Sequence, residues 1–242
     1  MSANELFRSG KLSEAIDALV GEVKANPLDS RRRIFLFELL CFAGEYDRAE
    51  KHLNVVSEGS KEAAMGALIY HSALHAERTR QKMFAENTAP LKHAAAPITC
   101  TRNGESFASF IDTDPRIGNS LEVFVAGSYS WISLRQIASI EVAPPKRLRD
   151  MLWVPAIIRP AADYREMELG EVLLPVLSPL SWKHSDDEVR LGRSTVWEES
   201  QEFGEIPFGQ KLFQLGDLEI PILELGKVEL TASPGESSAA SA

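Results

Sequence analysis

The chain has 242 residues, 44% of them apolar and 25% charged, with two cysteines and a formal net charge of −9. These values describe an ordinary globular protein of one or two domains and exclude collagen-like, coiled-coil and disulfide-scaffold classes. The acid is unevenly placed: residues 1–86 hold 12 Lys/Arg and 13 Asp/Glu, whereas 87–242 hold 14 and 22. Such a balance argues against direct nucleic-acid binding and against an anionic membrane surface, both of which need a basic face.

The opening residues, Met1 to Ala15, lack the continuous apolar core of a signal peptide. No uncharged apolar run reaches the roughly 18 residues of a membrane span; the longest, Ile34 to Ala43, contains Glu38. Cys41 and Cys100 imply no disulfide framework, and a reducing cytoplasm is the expected location.

A repeat opens the chain. Gly10-Lys11-Leu12-Ser13-Glu14-Ala15 matches Gly44-Glu45-Tyr46-Asp47-Arg48-Ala49, and Leu19 and Leu53 continue the register, all 34 residues apart. That spacing is the tetratricopeptide period. Gly10 and Gly44 fall where one helix ends and the next begins, a place that suits a left-handed residue. Leu12 and Tyr46 are expected to pack into those turns, and the small Ala15 and Ala49 to allow close helix crossings. Pro27 ends the second helix of the first copy. Ile34 to Phe42 is apolar nearly all round and predicts a buried central helix. Arg31-Arg32-Arg33 opens it against the helix dipole, which predicts either a solvated basic turn or a contact with an acidic partner or the acidic second part. Lys61 to Glu86 reads as a capping helix.

The pattern then changes. Residues 87–97 read as a linker and residues 98–230 as a β-rich domain. Short runs from about Cys100 include Leu121–Ala126 and Tyr129–Ser133 around a Gly127-Ser128 hairpin signal of type II′, then Ile137–Val142, Leu152–Ile158, Val172–Leu177 and Leu218–Leu230. Many short strands punctuated by proline suggest a partly closed barrel, and residues 231–242 read as a disordered tail. The fold class expected is therefore α+β multidomain, with tetratricopeptide-like helical repeats over 1–86 followed by a β-rich, partly barrel-like domain.

Chemistry is sparse. His71 and His75 stand four apart on a predicted helix, but no HExxH surrounds them. His52, His93 and His184 are isolated, and Cys41 lies in an apolar helix as a small core residue. Asp112-Thr113-Asp114-Pro115-Arg116 lacks the further ligands of a calcium loop and predicts a loop closed by Asp/Arg hydrogen bonds. Asp186-Asp187-Glu188 reads as a solvated loop. There is no Walker loop, no GxGxxG and no GxSxG. The residues nominate no catalytic, cofactor-binding or metal position and no partner-binding position, and no cofactor is expected.

Several segments together resemble one family. They are Leu36 to Ala49 in the repeat, then Asp112 to Gly118, Leu121-Glu122-Val123, Gly127 to Trp131, Leu148 to Trp153 and Leu191 to Trp197. In this combination and order the chain resembles the ImpE/SciE/TagJ family of type VI secretion accessory proteins, from about Glu5 to Leu230. Tyr46, Ile117 and Asn119 depart from the family's usual residues. The resemblance implies a cytoplasmic, non-enzymatic adaptor that binds the small sheath subunit, of TssB/VipA type, and is linked, indirectly, to sheath handling by the ClpV ATPase. From the residues alone, a regulatory protein-binding module and a hydrolase hosted by the β-rich part stay open beside that reading.

Overall fold

The computed structural model describes residues 1–90, 98–164 and 169–232. Five helices come first: α1 (Ala3–Arg8), α2 (Leu12–Ala25), α3 (Ser30–Phe42), α4 (Tyr46–Ser57) and α5 (Lys61–Ala85). Their starts are set by local chemistry. Ser2 and Glu5 form a capping box on α1, Asp29 accepts from the backbone of Arg31 and Arg32 at the start of α3, and Ser60 accepts from Ala63 at the start of α5. Asp29 offsets the adverse placement of the three arginines. Arg32 pairs with Asp29 and Glu22, and Arg33 reaches the carbonyl of Pro27. The basic run is thus tied to its own helical unit rather than to the second part of the chain.

Gly10 and Gly44 occupy the α1/α2 and α3/α4 turns with φ of +77° and +72°. Leu12, Ala15, Ala49 and Leu53 are all buried. In α3 the apolar run from Leu36 to Phe42 is buried together with Glu38.

The second part contains β1 (Ile98–Arg102), β2 (Glu105–Phe107), β3 (Phe110–Asp112), β4 (Ser120–Val125), β5 (Ser128–Ser133), β6 (Ile137–Val142), β7 (Trp153–Pro160) and β8 (Gly170–Pro175). The short helix α6 (Asp187–Arg190) follows, then β9 (Thr195–Ser200), β10 (Gly204–Gly209), β11 (Leu212–Leu215), β12 (Leu218–Pro221) and β13 (Lys227–Ala232). Eight strands form one sheet in the order β2-β1-β13-β6-β7-β8-β4-β5, beside a three-stranded sheet β12-β11-β3 and the hairpin β9-β10. All the pairings are antiparallel. The large sheet ends at β2 on one side and β5 on the other, so among the described residues it is open and does not show the partial barrel closure expected of it.

Two details differ from the sequence reading. Val125 pairs with Ser128, leaving Ala126 and Gly127 as the turn, at φ of +48° and +82°. Positive φ at both positions is the type I′ geometry, whose twist matches the strands; the turn is not a type II′ pair at Gly127-Ser128. β13 also runs to Ala232, two residues into the stretch read as tail, because Ile98 and Thr99 of β1 pair with Ala232 and Thr231. The 91–97 portion of the linker, with His93, and the 233–242 portion of the tail lie outside the described residues.

The core is continuous across the two parts. One cluster joins the helical residues with Phe124, Leu152, Trp153 and Leu191, and a second lies within the sheets around Val123, Ile140, Val154 and Phe213. A strap from Trp182 to Arg193 fastens the parts. Asp187 accepts from the backbone of Ser13 at 3.0 Å, capping α2, which has no side-chain cap of its own. Arg193 donates to the carbonyls of Phe7 and Arg8 at the end of α1. The Asp186–Glu188 stretch is therefore the capped start of α6 docked on the helices, not a solvated loop; free helix N–H groups attract a carboxylate.

Candidate functional site

Helix α5 is inverted along its length. Its C-terminal half buries polar and charged side chains, with Glu77, Arg80 and Gln81 all inside. Its N-terminal half exposes apolar side chains: Met65 at 74%, Leu68 at 61% and Ile69 at 52%. Each half has a separate physical explanation.

The buried charges are matched. Arg80 forms a two-pronged pair with Glu122 of β4, Nε to Oε1 at 2.8 Å and Nη2 to Oε2 at 3.0 Å. It also reaches Glu77 at 3.2 Å and the carbonyl of Leu177 at 2.9 Å. Lys211 binds Glu122 at 2.8 Å and Asp112 at 2.5 Å. Tyr129 donates to Glu122 and Trp153 to Glu77. Gln81 accepts from the backbone of Leu180 and from the Trp182 indole. Burial opposes ionisation of Glu122, but Arg80 and Lys211 outweigh it and hold its carboxyl well below the usual range. Asp112 goes the other way: burial, with Asp114 and Glu122 nearby, pushes it up to about 6 despite Lys211. Asp114 accepts Arg116 at 2.9 and 2.7 Å, closing the loop by Asp/Arg hydrogen bonds. With its charges engaged by one another, this network positions α5 against the sheet.

That half borders a groove of about 510 Å³ between α3, α4 and α5; of its exposed apolar side chains Ile69 lines the groove, while Met65 and Leu68 do not. Ile34 and Phe37 of α3 and Leu53 and Val56 of α4 form one side. Ala63, Gly66, Ala67 and Tyr70, three and four residues apart and so on one face of α5, form its floor. Small residues there let another backbone come close. Arg147 and Arg149 close one end, with the Arg149 guanidinium 5.1 Å from the Tyr70 ring.

Buried Glu38 has its carboxyl pushed up to about 7 by burial, a backbone hydrogen bond and the charge of Arg149 opposing the rise and Asp150 adding to it. A raised carboxyl pKa favours the protonated folded state, so its contribution is complete below about 4.5 and is lost as pH rises through about 7. Glu38→Gln will gain on the native protein by about 3 kcal/mol between pH 4 and pH 8. Paired urea melts at the two pH values measure this; a difference between the two proteins that does not change with pH would contradict it.

Among the described residues the histidines stand apart from one another except His71 and His75. His71 and His75 stand on successive turns of α5, and no group of three metal-ligating side chains occurs among the described residues. Arg33 lies beside His52, and His184 faces Glu198 at 3.4 Å. No described helix is long and apolar enough to cross a membrane. The sequence nominated none of the groove's residues as a site; the available signal was an apolar stripe in α5 beyond what a capping helix needs.

Three likenesses bear on this architecture. The ImpE protein family model matches residues 104–229. The type VI secretion system accessory component TagJ of Pseudomonas aeruginosa is 33% identical over an alignment of 263 positions, covering 95% of this chain and 91% of that protein. The crystal structure of protein VPA1032 from Vibrio parahaemolyticus superposes with a TM-score of 0.82 over 96% of this chain and 98% of that one, at 21% identity, and so shares the fold. On the extent of the family match and the whole-length relative, the chain belongs to the ImpE family.

Proposed function

We propose that this protein is a non-enzymatic accessory component of a type VI secretion system that captures a helix of the small sheath subunit, of TssB/VipA type. Its helical pairs act as a tetratricopeptide-like array, in the cytoplasm, and the capture links it to sheath handling by the ClpV ATPase. The name of the Pseudomonas relative supports the accessory role. The observation that carries the mode is an apolar groove lined by Ile34, Phe37, Leu53, Val56 and the exposed Ile69 above a floor of small α5 residues. An amphipathic helix laid in such a groove would cover Ile69 and its neighbours, drawing affinity from a few buried anchors.

Overlapping synthetic peptides spanning the small sheath subunit, titrated against the full-length protein, test this. One helical peptide is expected to bind, and Ile69→Asp should weaken it about tenfold or more. Ile69 is largely exposed, so the melting temperature should hardly move. Undiminished binding by the variant would place the partner elsewhere.

A further inference from the structure

The groove carries a charge opposite to that of the molecule around it. The chain has a net charge of −9, yet the residues lining the groove include Arg147 and Arg149 and no acid. Arg147 is exposed and makes no ion pair among the described residues. Arg149 is held in place by stacking on Tyr70 and by a 3.3 Å bond from Nη2 to Asp150. Its Nε is buried without a hydrogen-bond partner. A buried donor left unpaired is costly, and here it belongs to a fixed guanidinium at the end of an apolar seat.

We propose that the occupant of the groove is an amphipathic helix with an acidic residue at one end of its apolar face, whose carboxylate docks on Arg147 and Arg149. This rests on the groove being the docking surface, and it adds polarity to the complex. The apolar floor accepts a helix in either direction, whereas one carboxylate at the arginine end admits only one. A guanidinium suits a carboxylate because its N–H groups form a planar fork. The acidic surface elsewhere repels a partner presented with its acid misplaced, so the arginine end supplies direction and register more than bulk affinity.

The probe is the tightest-binding peptide from the sheath-subunit series, used with full-length protein. Arg149→Met together with Arg147→Gln should raise its Kd about tenfold or more and flatten the salt dependence of binding. Arg149→Lys should restore part of the loss. Changing each acidic residue of the peptide to its amide should reveal one position that causes the same loss on native protein and no further loss on the double variant. Thermal melts confirm folding, and Arg147→Gln alone, at an exposed position, is a second test that leaves the packing of Arg149 intact. Unchanged affinity in the double variant, with Ile69→Asp still disruptive, would overturn the carboxylate and leave the groove standing. Binding insensitive to Ile69→Asp, or no binding by any peptide, would overturn both.

Discussion

Arg80→Met is expected to destabilise the protein by about 3–5 kcal/mol, the usual consequence of removing one partner of a buried ion pair. The substitution keeps the side chain long and apolar, so packing changes little. It strips Glu122 of a two-pronged guanidinium and leaves Glu77 with only Gln81 and Trp153. Lys211 still holds Glu122, but it is shared with Asp112. Adding Glu122→Leu removes the stranded carboxylate, and Lys211 and Asp112 remain as a matched pair. The double variant should recover more than half of the loss in urea midpoint. Equal midpoints for the single and double variants would show that the loss does not come from stranding the Glu122 carboxylate.

Gly44→Ala is expected to lose roughly 2–5 kcal/mol from two sources. The left-handed backbone at φ +72° is strained for an alanine by about 1–2 kcal/mol. The new Cβ would run into the ring of Trp182, and overpacking against a large fixed group adds about 1–3 kcal/mol. Gly10 provides the internal control. Its φ is similar, at +77°, but the nearest atom is the terminal oxygen of Glu188, which can swing aside. Gly10→Ala should therefore show only the backbone strain. If the two variants melt together, the indole is not wedged against the turn.

Much of the helical part is legible in the sequence because its signals are local. A glycine at a turn, an alanine one turn into the next helix and a leucine beyond it recur at a fixed interval, and each acts on near neighbours. The strands from Leu121 to Leu177 are legible for the same reason, although the hairpin turn slips by one residue. Register is a property of the pair: Val125 opposite Ser128 makes Ala126 a turn residue, and no single-strand pattern reveals that.

The parts that are not legible depend on partners far away in the chain. Glu122 is bonded to a residue 42 positions earlier and to Lys211, 89 positions later. Its signal was faint but present, a lone carboxylate in the apolar run Leu121 to Val125. Glu77, Arg80, Gln81 and Phe84 fall on one face of α5, and nothing local in the helix shows that this face meets the sheet. The groove was unreadable for another reason. It is defined by what the described residues leave uncovered, and Ile69 on its lining looks like a core residue until the fold shows it exposed.

Glu188 and Trp182 are only six residues apart, yet they stand on the two turn glycines that are 34 residues apart. Arrays of stacked helical pairs behave as springs, because each unit touches only the next and small rotations accumulate along the stack. A short strap laid across the α1/α2 and α3/α4 turns opposes that freedom, as a splint does across a joint. A helix docked as proposed between α3, α4 and α5 would then meet a receptor already braced at two of its turns, and would spend less of its binding energy on stiffening it.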